Sequence, residues 1–76
     1  MKYNYAEYPF PLCDGMKNVQ EAYAKYKQNE TDDNAYWALK EAIYGLSLDV
    51  KSARVCRQFP NDVLDEINEY YWGLLL

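Results

Sequence analysis

The stretch DVKSARVCRQF, residues 49–59, holds three of the eight positive charges of an acidic chain, including its only two arginines. Such side chains can bind a carboxylate or phosphate group of a partner, or they can be counter-ions within a small helical fold. The helical periodicity before this stretch places Arg57 in the register of a core position. We therefore expect Arg57 to pair with an acid of the last helix. Lys51 and Arg54 lie nearer the edge and are candidates for contact with a carboxylate-bearing or phosphorylated partner.

Catalytic chemistry finds little support in the sequence. There is no histidine, and the two cysteines, Cys13 and Cys56, have neither a neighbouring base nor a Cys-x-x-Cys spacing. A nucleophile usually needs a base beside it, and a structural zinc ion needs cysteine or histidine ligands. A glycine-rich phosphate loop is also missing. The sequence predicts no enzyme, no cofactor and no metal site, and Cys56, between Ala53 and Phe59, is expected to be a small core residue.

Length and charge narrow the classes of partner. The 76 residues predict one domain with a thin core. A net charge of -4 disfavours nucleic acid, because non-specific binding needs a basic surface. The twelve acids are interspersed with eight bases and do not form the regular row expected of a DNA mimic. No apolar run is long enough for a signal peptide or a membrane span, which predicts a cytoplasmic protein with reduced thiols and no membrane contact.

The elements that would position these side chains begin with an extended aromatic strap at residues 1–13. Its YPFPL stretch favours extended backbone, since each proline disfavours helix at the residue before it. Three apolar side chains would point to one side and pack on the helices: Tyr8, Phe10 and Leu12. Asp14 is the predicted N-cap of a first helix at 14–29. A polar connector follows, in which Asp32 or Asp33 can cap the next helix.

The strongest periodicity predicts one long central helix at 33–58. Its apolar residues recur at steps of three and four: Tyr36, Leu39, Ile43, Leu46, Val50 and Ala53. Gly45 weakens a helix interior, and Ser47 with Asp49 could start a new helix. We therefore expect a kink near 45–48, with a clean break as the alternative.

A break at that point would produce a helix, a glycine turn and a basic helix, the order of elements in a helix-turn-helix DNA-binding regulator. The match fails in detail, because Lys51 and Arg54 would occupy positions where a recognition helix packs its apolar residues. The acidic net charge also opposes DNA binding.

A second apolar stripe runs along the other side of the central helix. Its members, at steps of seven, four and seven, are Trp37, Tyr44, Leu48 and Val55. One interpretation is that another helix or the strap covers this stripe and makes it part of the core. The other is that it forms a dimer or target interface, with Trp37 as the anchor and Lys40 and Lys51 on its polar rim.

Pro60 ends the central helix, and Asn61 is the predicted N-cap of a third helix at 61–73. Trp72 lies about 140° from the centre of that helix's apolar stripe, so it is either capped by the strap or available to a partner. The pattern as a whole predicts an all-α fold, a small three-helix bundle with a long central helix that is kinked or broken and an extended N-terminal strap.

The functional expectation is a small acidic protein-interaction module that occupies the surface of another protein, in the manner of phage or mobile-element inhibitors and accessory factors. The predicted partner-binding residues are Trp37, Tyr44, Leu48, Lys51, Arg54 and Trp72. The alternatives are the DNA-binding regulator and a self-associating structural module, which would be a homodimer in its simplest form.

Overall fold

The computed structural model describes all 76 residues and contains three α-helices and one short 3-10 turn. The helices are α1 (Leu12–Gln28), α2 (Asp33–Val55) and α3 (Asn61–Gly73), and the turn spans Tyr5–Glu7. The molecule measures 39 × 21 × 17 Å, and α2, about 35 Å long, runs through most of its longest dimension. The all-α three-helix bundle with a long central helix is confirmed. None of its helices combines the length and the hydropathy that crossing a membrane requires.

The core is a single cluster of buried apolar side chains from all three helices. Its members are Leu12, Met16, Val19, Leu39, Ile43, Leu46, Val50, Ala53, Leu64, Ile67 and Tyr71. Five of the six residues in the predicted periodic series of α2 belong to it, and Tyr36 is half-buried. The three-four spacing of α2 therefore identifies the helix face that packs on α1 and α3.

Helix α2 is continuous from Asp33 to Val55, so the alternative of a clean break at 45–48 is wrong and the prediction of one long central helix holds. Ser47 does not start a new helix, because its hydroxyl lies 3.2 Å from the Ile43 carbonyl oxygen one turn earlier, inside the helix. Gly45 has open space around it and needs no special backbone conformation. Without a turn at this position, the helix-turn-helix interpretation loses the feature on which it depended.

The contact of α1 with α2 is closest at Gly15. A Cβ atom there would lie 2.9 Å from Leu46 Cδ1 and would clash with the carboxylate of Asp49. Asp49 is half-buried beside the start of α1, and its burial, together with the charge of Asp14, raises its pKa above the ordinary value. The two helices thus approach at a point where only a hydrogen atom fits.

The predicted N-caps of the three helices are confirmed only in part. Helix α1 begins at Leu12 after Pro11, and Asp14 lies in its first turn instead of capping it. Asp32 is the N-cap of α2, as predicted, and its carboxylate accepts from the Asn34 backbone N–H at 2.9 Å. Asn61 does not cap α3, because that cap position is held by Pro60.

Helix α2 ends at Val55, three residues before the predicted end. Two backbone hydrogen bonds cap this end of the helix. Gln58 N–H donates to the Ala53 oxygen, and Arg57 N–H donates to the Arg54 oxygen. Arg57 has a left-handed φ of 56°. This pattern is the Schellman motif, in which glycine usually occupies the left-handed position.

The N-terminal strap is not extended throughout, since it includes the turn Tyr5–Glu7. Tyr3 is its anchor, with its ring 5.9 Å from the ring of Tyr71 and 5.3 Å from that of Tyr70. Burial is the main reason that the pKa of Tyr71 is raised to about 12. Of the three strap residues expected to dock, Tyr8 and Leu12 do so, but Phe10 remains 72% exposed and that part of the prediction is wrong.

Candidate protein-interaction surface

The most extensive exposed apolar feature of the molecule is the second stripe of α2, here called the outer stripe. Its residues and their exposed fractions are Trp37, 55%; Tyr44, 61%; Leu48, 51%; and Val55, 76%. The other exposed large apolar residues are Met1, Phe10 and Leu76, which lie outside the helices. The interpretation that a helix or the strap covers the outer stripe is therefore wrong for the single chain.

The geometry of α2 explains this exposure. On a helix with 100° per residue, Leu46 at the centre of the buried face lies 180° from Trp37. Helices α1 and α3 both pack toward the buried face, as the Gly15 approach and the buried Leu64 show. Two helices cover one side of α2, and the chain supplies no further helix for the opposite side.

A shallow groove of about 260 Å³ lies at the N-terminal half of the outer stripe. Its lining residues are Trp37, Lys40, Glu41, Tyr44 and Trp72. The Lys40 ammonium group is 4.7 Å from the centre of the Trp37 ring, which is within the range of a cation–π contact. Two indole rings and a phenol ring thus form an apolar concavity with a lysine and a glutamate at its rim.

Trp72 of α3 is held in this groove by α2. Its indole N–H donates to the Ser47 hydroxyl oxygen at 2.7 Å, and that hydroxyl also lies 2.9 Å from Asn68 Oδ1. The polar edge of the indole is thereby satisfied inside the α2–α3 contact. Trp72 is half-buried, and part of its ring remains as a wall of the groove. Its contact with α2 replaces the strap contact that was one of its predicted alternatives.

The three bases of residues 49–59 have different environments. Arg54 donates to Asp65 Oδ1 at 2.6 Å and to Asn61 Oδ1 at 3.0 Å, which ties α2 to α3. Arg57 is exposed and forms no ion pair, so its predicted pairing with the last helix is wrong. The reason is the early end of α2, because the left-handed backbone at Arg57 removes it from the helical register.

Arg54 therefore has the role that the sequence predicted for Arg57, an ion pair with an acid of the last helix. Lys51 is exposed and has no ion-pair or side-chain hydrogen-bond partner, so it remains available to another molecule. Trp37, Tyr44, Leu48 and Lys51 lie on the outer side of α2, and Trp72 joins them from α3, whereas Arg54 is engaged within the fold.

Cys56 is exposed, which overturns its predicted core position. It is the C-cap of α2 and keeps a helical backbone, with its N–H bonded to the Ser52 oxygen, but it lies about 80° round the helix from Leu46 at the centre of the buried face. Cys13 is half-buried in the first turn of α1, and both thiols are free.

The sequence interpretation missed Glu41 as a member of the surface. It lines the groove, is exposed and forms no ion pair within the chain. Its position on the helix was a usable signal, because it lies 40° to one side of Trp37 while Lys51 lies 40° to the other. The outer stripe is thus flanked by one free acid and one free base.

No protein-family model matches the chain. No curated protein and no solved structure matches it either, so no function is transferred from a relative.

Proposed function

We propose that the chain is a protein-interaction module that binds through the outer stripe of α2. The observation that carries this proposal is the exposure of Trp37, Tyr44, Leu48 and Val55 in one line along about 27 Å of helix. The largest apolar patch on a soluble protein is often a binding site, because burial of apolar surface is favourable by about 25 cal/mol per Å².

The composition of the surface supports a protein partner. Aromatic anchors beside a pocket, with charged groups at the rim, are the features from which interfaces draw most of their binding free energy. Trp37 and Trp72 border the groove, and Lys40 and Glu41 are at its edge. The groove is open and shallow, which suits a side chain of another protein.

The more specific role, an inhibitor or accessory factor that occupies the surface of its target, remains a prediction from size and acidity. The absence of a histidine and of a base beside either cysteine still favours binding over catalysis. In this role the acidic remainder of the surface would keep the module soluble and would discourage contacts with nucleic acid.

Site-specific photo-crosslinking in the native host tests the proposal. A benzophenone amino acid at position 44 should form a covalent adduct with a protein, because Tyr44 lies at the centre of the outer stripe. The matched control carries the same amino acid at position 20, since Gln20 is exposed on a different helix, α1, and is not part of the stripe on α2. A position-44 variant that is folded but forms no more protein adduct than the position-20 variant would contradict the proposal.

A further inference from the structure

We infer that the occupant of the outer stripe is a second copy of this chain, with the two α2 helices antiparallel and a two-fold axis that crosses the outer stripe at the height of residue 46, midway between Tyr44 and Leu48. This inference rests on the proposed function, because it names the partner of the same surface. It follows from the spacing of the apolar residues, the placement of the free charges and the area of the stripe.

The spacing of the outer stripe reads the same in both directions. Trp37 and Val55 lie nine residues before and after position 46, and Tyr44 and Leu48 lie two residues before and after it. An antiparallel copy centred there sets Trp37 against Val55 of the second copy and Tyr44 against Leu48 of the second copy. Each large aromatic residue then meets a smaller aliphatic one, which is the combination that fills a contact without two bulky rings colliding.

Two of the free charges beside the stripe obey the same symmetry. Glu41 and Lys51 lie five residues before and after position 46, and both are exposed without an ion-pair partner in their own chain. In the antiparallel arrangement Glu41 of each copy falls in the same layer as Lys51 of the other, on opposite edges of the contact, so two opposite-charge pairs face each other across it. A parallel pairing in register would bring Glu41 near Glu41 and Lys51 near Lys51, which is unfavourable.

The available area is sufficient for a dimer of this kind. From the exposed fractions of the four stripe residues and the usual areas of such side chains, about 500 Å² per copy can be buried. Two copies bury at most about 1,000 Å², which is the size of weak and transient complexes, so we expect a reversible dimer. The groove beside Trp37 and Trp72 receives Val55 of the second copy, so each protomer completes the pocket of the other.

Sedimentation equilibrium over a concentration series, combined with a charge exchange, tests the orientation. Glu41→Lys and Lys51→Glu should each raise the dimer dissociation constant about tenfold or more, because each places like charges together twice. The double variant restores opposite charges in both layers and should return to within about threefold of the unchanged protein. The matched control is Glu21→Lys, Lys25→Glu and their combination on α1, which change net charge equally and should leave association unaffected.

A reversible dimer that responds in this way would establish the inference. A protein that stays monomeric into the high micromolar range would overturn it, and so would a dimer whose single and double charge variants behave alike. The crosslinking experiment separates this failure from that of the proposed function. An adduct of position 44 with a different protein would retain the interaction module and reject the second copy, whereas no protein adduct at all would reject both.

The orientation can also be read directly by disulfide trapping in a background without the native cysteines. When Glu41→Cys and Lys51→Cys variants are mixed, the antiparallel register predicts the mixed disulfide between the two variants. Homodisulfides of each variant with itself would indicate the parallel pairing and would contradict the two-fold axis at residue 46. Circular dichroism of every variant ensures that a lost contact is not a lost fold.

Discussion

The inner and outer faces of α2 have similar hydrophobic patterns but opposite surroundings. The inner face carries Leu39, Ile43, Leu46, Val50 and Ala53, which are at most 3% exposed. The outer face carries residues of equal or larger apolar area, all more than half exposed. Sequence periodicity marks both faces, but only the number and placement of neighbouring helices decides which of them is covered. Periodicity in a sequence therefore identifies an apolar helix face, but it does not show which element or partner packs on that face.

A matched pair of leucines, two residues apart on α2, gives the sharpest test of this contrast. Leu46→Ala should lower the free energy of unfolding by about 2–5 kcal/mol, because it leaves a cavity in the core. Leu48→Ala should change it by no more than about 0.5 kcal/mol at concentrations where the chain is monomeric. Urea denaturation of both variants measures the difference. Equal losses would mean that the outer stripe is buried within a single chain.

Two glycines provide a test of intermediate size. Gly15→Ala should cost about 1–3 kcal/mol, because the new methyl group meets Leu46 and Asp49 at the closest approach of α1 and α2. Gly45→Ala, in open space on α2, should stabilise the helix by as much as about 1 kcal/mol. Thermal or chemical denaturation of each variant is the measurement. A loss of stability in Gly45→Ala would show that something approaches the outer half of α2.

The smallest expected change in the free energy of unfolding is at Arg57, just beyond the end of α2 and of its two apolar faces. Arg57→Gly should raise the free energy of unfolding by about 1 kcal/mol, since glycine adopts the left-handed backbone without steric cost. Arg57→Ala keeps that cost and removes no ion pair, so its denaturation midpoint should stay close to that of the unchanged protein. Destabilisation by both substitutions would restore the idea that the guanidinium group supports the fold.

The sequence predicted the number of helices and the buried face of α2 well, but it predicted the helix ends poorly. The register from Leu39 to Ala53 was readable because each step returns to the same face of a helix. The end of α2 was not readable, because its Schellman motif uses Arg57 where a glycine would have signalled it. That single difference accounts for the wrong environment assigned to Arg57.

The candidate surface was identified in part, for a similar reason. Trp37, Tyr44 and Leu48 were found from periodicity, and the structure supplies the fact that they are exposed. Arg54 was predicted as a partner contact from its place near the edge of the helix. Its salt bridge with Asp65 was not predicted, because that contact depends on the angle between α2 and α3, which a pattern within one helix does not contain. Contacts between helices are the information that a single sequence encodes least directly.

The strap contacts have a consequence for the order in which the chain folds. The Lys2 ammonium group lies 2.7 Å from Glu66, and the Lys2 backbone N–H donates to the Tyr70 hydroxyl, although 64 and 68 positions separate these residues. Bringing them together restricts the chain by roughly 2 kcal/mol more of entropy than closing the ten-residue separation of Tyr26 and Tyr36 at the α1–α2 end. We therefore expect the strap to dock last and to detach first, after the nearer contacts of α1 with α2 and of α2 with α3 have formed.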